Sequence, residues 1–564
     1  MQVFFVILVG LVFFLEGIGL QYGREAAFSL ILIIPLSLFL LDVIRGKKIF
    51  MPGKMTTLFG LFVFFSAISV VFSVNVQRSF EYLLYCISTF LIFLYAYNHK
   101  DLIKIVPVFV FAASAVFALY SAFINHFLPA GWEFLIPDRG FQYVFAYFKT
   151  HNPLGALLLI PVIMSFSYFV IGKKTGHLLL FLIMLPFFLL TYSRSAYLAF
   201  IEAGLILMAY QVMQKKVSLF SAKTLIAALT IGLCLSFFFL TVSYKSAPAF
   251  IKTANGILQK RMGLNNKTFL SNRNLYFRSA LISIRERPFF GVGPNNFVYA
   301  SALHATNTGA ISWTADNIFL EVFSENGLLA GIIFVLVIAM IFVKADKKHL
   351  SLFITLVSMF LLFQTDSSQR NYSYLLLFFI LAGLLYKEGP VAGGGRLVFP
   401  LAIFLFTVAM SMFMSVLFYD GRNYKIAFYL YPFSQQALES HLTAMPPGKN
   451  GQFLRLYARL YSGDPRALSI IANNYLKTGD RETAHVYLKR FSRYYPYSAS
   501  NLDVFYQAYH LERDLSGKEK ADALANAYFK RIEDANREAG LEPDYRKRAK
   551  YLCAIIYNVC PFGL

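Results

Sequence analysis

The chain has 564 residues, of which 57% are hydrophobic and 15% are charged, and its formal net charge is +22. A soluble protein of this length could not hide so much apolar surface in a core, and the mean hydropathy of +0.57 excludes a soluble globular fold. The composition therefore predicts a protein that crosses a membrane many times. The positive charge can point to a binding partner only once each basic residue has been assigned to one side of that membrane.

Long apolar runs predict an all-α, polytopic membrane protein. A helix that spans a bilayer needs about 20 apolar residues, and the chain holds about thirteen runs of roughly this kind. The first run has no basic leader and no small-residue cleavage site after it, so we expect it to be retained as a span. The runs lie at 2–20, 25–44, 55–74, 80–97, 103–128, 152–171, 177–192, 195–213, 222–243, 315–343, 350–364, 372–386 and 397–419.

Basic residues mark one side of this predicted membrane protein. They cluster in alternate short loops, which the positive-inside rule assigns to the cytoplasm. With thirteen spans and an inside N-terminus, the C-terminus falls outside. The cytoplasmic groups are Arg45 to Lys48, Lys100 with Lys104, Lys173 with Lys174, Lys215 with Lys216, Lys344 with Lys347 and Lys348, and Lys387 with Arg396.

A long loop at 244–315 falls on the outer side and is nevertheless basic. It holds nine Lys or Arg and a single acid, Glu286. The positive-inside rule exempts long loops but does not explain an excess of positive charge in one. The loop is either a solvated basic surface or an anion-binding site, and its charge favours the anion site.

Arginines provide the candidate anion ligands. Arg194 lies in a short outer turn between two apolar runs, where it is either an interfacial anchor or a phosphate ligand. The apolar positions of 274–285 predict an amphipathic helix that ends before Pro288 and carries Arg278 and Arg285 on one face. Because a planar guanidinium suits a pyrophosphate better than a lysine does, the pair is typical of a pyrophosphate site.

Acidic residues at the outer end of the span 315–343 are candidate proton acceptors. Asp316 and Glu325 lie where an unpaired charge is expensive, so each must pair or act. Asp316 is either a base or, together with Asn317, the N-cap of the helix. His304, close by in the sequence, is a further candidate base. Residues of this kind are structural more often than catalytic, so the sequence leaves both interpretations open.

From residue 420 onward the chain has the pattern of soluble helices. Asp464 and the proline after it predict a helix start, Gly479 predicts its end, and a partner helix ends before Pro496. The spacing resembles a tetratricopeptide helix pair. We expect a transmembrane domain at 1–419 and a periplasmic helical domain at 420–564, which either binds a protein partner or only covers the membrane domain. Cys553 and Cys560 can form a disulfide there if the helix breaks between them.

A family resemblance follows from these motifs in combination. The glycines of GVGP predict a tight turn, but with no strand-turn-helix context they do not indicate a nucleotide site. An SR turn, a basic outer loop with P-x-x-G-x-G-x-N-x-F, and a helix that carries E-x-G-L resemble the bacterial O-antigen ligase and polymerase superfamily. The matching residues are Arg194, Arg273, Pro288, Gly291, Gly293, Asn295, Phe297, Asn317, Leu320, Glu325, Gly327 and Leu328.

The resemblance implies a multi-pass glycosyltransferase of the bacterial inner membrane that needs no metal and no cofactor. It would move a glycan from undecaprenyl pyrophosphate to an acceptor hydroxyl of a glycan, lipid or protein at the periplasmic face. Repeat-unit polymerase, O-antigen ligase and protein-glycosylating enzyme are the three candidate activities, and nucleic acid is not an expected partner. The pyrophosphate ligands would be Arg194, Arg261, Arg273, Arg278 and Arg285.

The expected base is where the chain departs from the family pattern. Ligases of the family carry a histidine before the helix-starting asparagine, and this chain has Asp316 there. A carboxylate can act as a base if burial raises its pKa, so Asp316 is the expected base, with His304 or Glu325 as substitutes. The alternative function is a lipid-linked oligosaccharide transporter. It would also bind pyrophosphate, but the sequence shows no internal repeat of the kind on which transporters rest.

Overall fold

The protein is built from α-helices throughout its described part. In the computed structural model the described residues are 32–127 without 34, 35, 43 and 48; 151–214 without 173, 174 and 192; 273–304; 311–391; 395–445; 450–491; and 499–527 without 525. The membrane-region helices are α1 (Gly53–Val71), α2 (Val76–Asn98), α3 (Val106–Phe127), α4 (His151–Gly172), α5 (Thr175–Leu190), α6 (Arg194–Met213), α7 (Arg273–Glu286), α8 (Phe297–His304), α9 (Ile318–Val343), α10 (Leu350–Leu362), α11 (Tyr372–Leu385) and α12 (Gly395–Asp420).

Six of these helices are long and apolar enough to cross a membrane, by length and composition, within the described residues. They are α1, α2, α4, α6, α9 and α12, and shorter apolar stretches occur in α3, α5 and α11. The predicted spans at 2–20 and 222–243 lie outside the described residues. An all-α membrane protein is therefore confirmed, whereas the number of thirteen spans stays a prediction.

The centre of the bundle is formed by helices that are apolar on every side. Every residue of α11 is buried, and α11 packs along α2. A helix without a polar face has to be surrounded by other helices, which explains this central position. In α1, α6 and α12 only 33%, 28% and 28% of the most apolar window is buried, so these helices expose apolar side chains on the outside of the bundle. That exposure is what lipid contact requires.

The end of the bundle that holds the predicted cytoplasmic loops is fastened by lysines. The Lys100 ammonium group donates to the carbonyls of Gly383, Leu384 and Tyr386 at 2.6, 2.9 and 3.0 Å, at the carboxyl end of α11. Burial lowers the pKa of Lys100 to about 8. Two short strands, β1 (Met51–Pro52) and β2 (Pro390–Val391), pair antiparallel at the same end. Further ion pairs there join Lys47 to Asp42 and Lys387 to Asp346.

Six helices of the described part follow the membrane region, ahead of a further helical stretch that begins at residue 518. They are α13 (Tyr424–Leu430), α14 (Gln435–Ala444), α15 (Gly451–Leu460), α16 (Pro465–Lys477), α17 (Arg481–Phe491) and α18 (Ala499–Ser516). As predicted, Asp464 is the N-cap of α16, Gly479 follows its end with φ +85°, and α17 packs back on α16. The tetratricopeptide resemblance stays a prediction, and Cys553 and Cys560 lie outside the described residues.

These C-terminal helices lie directly against the bundle, at the end opposite the lysines. The Gly463 amide donates to the Val74 carbonyl at 3.4 Å, and the Gln435 amide donates to Oε1 of Gln77 at 2.7 Å. Both acceptors belong to the turn between α1 and α2 or to the first residues of α2. The predicted basic loop at 244–315 reaches the same end through α7 and α8, while its residues 244–272 are outside the described part.

Candidate active site

Helix α9 is broken at Gly327, and a loop segment supplies hydrogen-bond donors to the backbone at the break. Gly327 has φ +84° and ψ 174°, far from helical values. The backbone carbonyls of Ser324 and Glu325 accept hydrogen bonds from Val292 and Gly293 at 3.0 and 2.9 Å. Carbonyls that a break leaves without helical partners thus find donors in the GVGP segment, as buried backbone groups must.

The motif requires glycine at two positions because the backbone of the GVGP loop lies in direct contact with the backbone of α9. A Cβ atom on Gly291 would lie 2.3 Å from the Glu325 carbonyl oxygen, and one on Gly327 would lie 2.1 Å from the Phe289 carbonyl oxygen. Both residues also have positive φ, of +64° and +84°, a region that favours glycine. The pattern predicted from the sequence as a tight turn is therefore a helix-loop contact that allows no side chain.

A buried charge cluster fixes this contact. Arg370 Nε lies 2.5 Å from Oε1 of Glu321, and Arg370 Nη2 lies 2.6 Å from Oε1 of Glu325. Glu325 also accepts the backbone N–H groups of Asn295 and Phe297 at 2.9 and 2.8 Å. The two carboxylates are 2% and 1% exposed, which is tolerable only because each is paired and hydrogen-bonded. These contacts give Glu325 the role of organising the loop.

A second cluster, which we call the Arg273 cluster, joins the ends of three helices at the end of the bundle opposite the lysines. Arg273, the first residue of α7, pairs with Asp316 at 3.3 Å (Nε to Oδ2) and donates to Oγ of Ser195 at 2.8 Å. Ser195 in turn donates to the Thr365 carbonyl at 2.9 Å. Thr314 Oγ1 donates to Oδ1 of Asp316 at 2.6 Å. The cluster thus brings together α6, α7 and the segment that leads into α9.

The structure shows which of Asp316 and Asn317 caps α9. The side chain of Asn317 caps α9 by accepting the amide of Leu320 at 3.0 Å. Asp316 has φ +50°, which turns it out of the helix, and its carboxylate is engaged by Arg273. Asn317 is therefore the N-cap, and Asp316 belongs to the Arg273 cluster.

The predicted pyrophosphate arginines do not all converge. Arg194 begins α6 directly before Ser195, so it lies at the Arg273 cluster. Arg278 and Arg285 lie on an exposed strip of α7. At 1.5 Å per residue, Arg285 is about 18 Å along the helix from Arg273, so α7 spaces its arginines in a row. Arg261 lies outside the described residues.

His304 is engaged away from this cluster. Its Nε2 lies 3.2 Å from Oε2 of Glu286, the last residue of α7. The length of that helix puts Glu286 about 20 Å from Arg273. His304 and Asp316 therefore lie at different ends of α7.

Asp366 is a site residue that sequence reasoning missed. It follows Thr365, is 2% exposed, and accepts a hydrogen bond from Ser368 at 2.5 Å through Oδ1. Its Oδ2 is buried without a hydrogen-bond partner among the described residues. Burial raises the pKa of Asp366 to about 6, and the nearby Asp316 carboxylate also raises it, against the opposing effects of Ser368 and Arg273. No pattern in the sequence distinguishes this acid from an ordinary loop residue.

Arg78 is a second residue that the sequence did not single out. Its guanidinium lies 5.5 Å from the ring centre of Tyr299 and 4.8 Å from that of Trp313, three residues before Asp316. Such cation–π contacts hold a guanidinium without using its N–H groups. No carboxylate in the described part of the chain pairs with it, so Arg78 adds positive charge beside the Arg273 cluster.

The comparison with known families bears on this region directly. Residues 179–335 match the protein-family model described as O-Antigen ligase. The matched stretch runs from α5 into α9 and contains Arg194, Arg273, Asp316 and Gly327. No curated protein and no solved structure matches the chain. The family match confirms the resemblance to the O-antigen ligase and polymerase superfamily over residues 179–335.

Proposed function

We propose that this protein is a glycosyltransferase that moves a glycan from undecaprenyl pyrophosphate to an acceptor hydroxyl at the periplasmic face of the bacterial inner membrane. The O-antigen ligase match supports glycosyl transfer in the broad sense. The observation that carries the proposal further is the Arg273 cluster, in which a guanidinium and a carboxylate lie together at the outer ends of several helices. A pyrophosphate leaving group and an acceptor proton need these two groups.

The proposed reaction is a displacement at the anomeric carbon of the donor glycan. The acceptor oxygen forms a bond to that carbon, and the bond from the carbon to the pyrophosphate oxygen breaks. The acceptor proton moves to a carboxylate, and the electron pair of the broken bond leaves with undecaprenyl pyrophosphate. Arg273, Arg194 and Arg78 would stabilise the negative charge on that leaving group, an effect that usually dominates in sites of this type.

The ion pair between Arg273 and Asp316 couples donor binding to proton transfer. A bound pyrophosphate competes with Asp316 for the Arg273 guanidinium, because charge-assisted bonds to phosphate oxygens are strong. Asp316 would then lose its ion-pair partner and be free to accept the acceptor proton. The base would thus be released only when the donor is in place, which protects the donor from premature hydrolysis.

The location of the site supports a periplasmic reaction. Lysines fasten the opposite end of the bundle, and the positive-inside rule assigns that end to the cytoplasm. The C-terminal helices lie at the site end, so we propose that they are periplasmic, where a tetratricopeptide-like region can contact the acceptor or a protein partner. Polymerase, ligase to a lipid and protein glycosylation share this chemistry and differ in the acceptor.

A lipid-linked oligosaccharide transporter remains the alternative. The break in α9 favours it to some extent, because discontinuous helices form the binding sites of many transporters. In this chain the carbonyls freed by the break are satisfied by the loop, and the candidate residues lie at one end of the bundle. Both features fit a fixed site better than alternating access.

The test is a transfer assay with purified full-length protein in detergent, undecaprenyl-pyrophosphate glycan as donor, and candidate acceptors. We expect donor loss together with a longer glycan or a new conjugate. Arg273→Ala and Arg194→Ala should lower the rate by at least about 100-fold, the usual loss for a missing charge-stabilising group. Arg459→Ala, an exposed arginine of α15, is the matched control. Donor that is bound but stays intact, or that crosses a vesicle membrane unchanged, would rule out the proposal.

A further inference from the structure

A buried carboxylate lies at the junction between the C-terminal helices and the membrane region. Oδ1 of Asp464 caps α16 by accepting the amides of Arg466 and Ala467 at 2.9 and 3.4 Å. Its Oδ2 faces the other way and accepts hydrogen bonds from Nδ2 of Asn75 at 2.9 Å and from the hydroxyl of Tyr299 at 2.5 Å. One side chain therefore holds a helix start and two groups of the membrane region.

The cap of α16 does not require this second set of bonds. Asp480 caps α17 through the Thr483 amide at 3.0 Å while remaining exposed, with its carboxylate away from the membrane helices. Asp464 is only 5% exposed, and a carboxylate buried to this degree is costly unless it is well bonded. Buried polar contacts add little net stability but restrict geometry. The burial of Asp464 therefore indicates that it fixes the position of α16 relative to Asn75 and Tyr299.

One chain of contacts leads from Asp464 to the buried charge cluster. The backbone carbonyl of Asn75 accepts Nδ2 of Asn296 at 3.1 Å, and the same amide group reaches Oγ of Ser79 at 2.7 Å. The preceding residue, Asn295, donates its backbone N–H to Glu325 at 2.9 Å. The position of the GVGP loop is thus linked to the C-terminal helices through Asn75.

A second chain of contacts leads to the Arg273 cluster. The Tyr299 ring supports the Arg78 guanidinium, which supports the Trp313 ring three residues before Asp316. Burial, together with the Asp464 carboxylate, raises the pKa of Tyr299 well above its usual range, so its hydroxyl stays a donor. Tyr299 also belongs to a small apolar cluster with Val74, Ala280, Val292, Phe297, Val298, Ala300 and Ala315.

We propose that Asp464 is a positioning residue through which the C-terminal helices hold the transfer site in its working geometry. The inference rests on the proposed function and assigns the C-terminal region a part in it. Asp464 acts through Asn75 and Tyr299 and contacts no substrate. Misplacement of reacting groups by about 1 Å can cost about 100-fold in rate, so loss of this anchor should slow the reaction without removing any reacting group.

The experiment uses Trp313 as a reporter of position. The chain has two tryptophans, Trp132 and Trp313, so the full-length Trp132→Phe variant reports on the site alone. In this background, Asp464→Asn keeps a helix cap but loses the charged acceptor. Tyr299→Phe removes the hydroxyl that donates to Asp464. Asp480→Asn is the matched control. Acrylamide quenching of Trp313 and the split between kcat and KM for the donor are measured.

We expect Asp464→Asn and Tyr299→Phe each to change the quenching constant at least about twofold and to lower kcat about tenfold, with KM nearly unchanged. The double variant should add little to either single variant, because both break one network. Asp480→Asn should match the parent. If the acrylamide quenching constant of Trp313 is the same in the Asp464→Asn and Asp480→Asn variants, the inference is overturned, even where no transfer is detected. Absent transfer in the parent, with altered quenching in Asp464→Asn, overturns the proposed reaction alone.

Discussion

Arg370 lies between the buried carboxylates of Glu321 and Glu325, so its removal should destabilise the protein. Buried ion pairs contribute modestly when intact, but removal of one partner leaves charge without compensation. The cluster has two carboxylates for one guanidinium, so the backbone amides of Asn295 and Phe297 have to supply the remaining stabilisation.

Arg370→Met should therefore destabilise the protein by about 3–5 kcal/mol, because two carboxylates lose their counter-charge. Thermal unfolding in detergent measures this loss. Arg481→Met is the matched control, since Arg481 pairs with Asp514 through side chains that are 59% and 42% exposed, and this pair should contribute about 0–1 kcal/mol. A variant that also carries Glu321→Gln and Glu325→Gln should recover part of the loss. Equal losses at the two arginines would contradict the account.

Asp366 gives the site a pH dependence. Its raised pKa of about 6 means that it is protonated below that value and ionised above it. We expect the transfer rate to rise as pH increases through about 6, because only ionised Asp366 can accept the acceptor proton. Asp366→Asn should remove this inflection, while Asp101→Asn at the lysine end keeps it. An unchanged pH profile in Asp366→Asn would exclude the residue from the reaction.

Among single residues, the sequence predicts best those whose role is carried by a local pattern. Arg273 and Asp316 were singled out from the sequence because a family motif and an acid at a span end are visible in the chain. Asp366, Arg370 and Arg78 were not, because their significance comes from burial and from neighbours far away in the sequence. Glu325 was found, but only its bonds to two amides and to Arg370 indicate that it organises the loop.

The element on which the site depends is the broken start of α9. Gly327 combines a backbone conformation that other residues avoid with contact to the Phe289 carbonyl. Gly327→Ala should cost about 1–3 kcal/mol for the backbone alone, and the clash adds to this. Thermal unfolding and the transfer rate should both fall. Gly60→Ala, in the middle of α1 with no atom within 4 Å of the new methyl group, should be nearly neutral. Similar losses in both variants would argue against a special role for the break.

Helices were predicted well where apolar periodicity and end signals agree. The limits of α7 were expected at 274–285 and lie at Arg273–Glu286. Asp464 caps the start of α16 and Gly479 follows its end, as expected. The break in α9 was not predicted, since its cause is a contact with a loop that is remote in the chain. Local pattern indicates where helices begin and end, but tertiary contact decides where they bend.

The whole molecule has two chemically different ends, and this arrangement predicts its orientation. In a background without the four native cysteines, Asn274→Cys at the site end should react with a membrane-impermeant maleimide in intact cells. Lys348→Cys at the lysine end should react only after the membrane is opened. Both positions are exposed, so reactivity reports the side of the membrane. The reverse labelling pattern would place the site in the cytoplasm and exclude a periplasmic reaction.

Lys100 shows that charge which directs insertion can also be a structural component. A lysine in a short loop helps to retain that loop in the cytoplasm while the chain enters the bilayer, and here its ammonium group later covers three carbonyls at the end of the central helix. A copy of α2 inserted with the opposite polarity would carry this lysine to the wrong side and leave those carbonyls unsatisfied. Only a chain inserted with the correct topology can therefore form the hydrogen bonds from Lys100 to the end of the central helix.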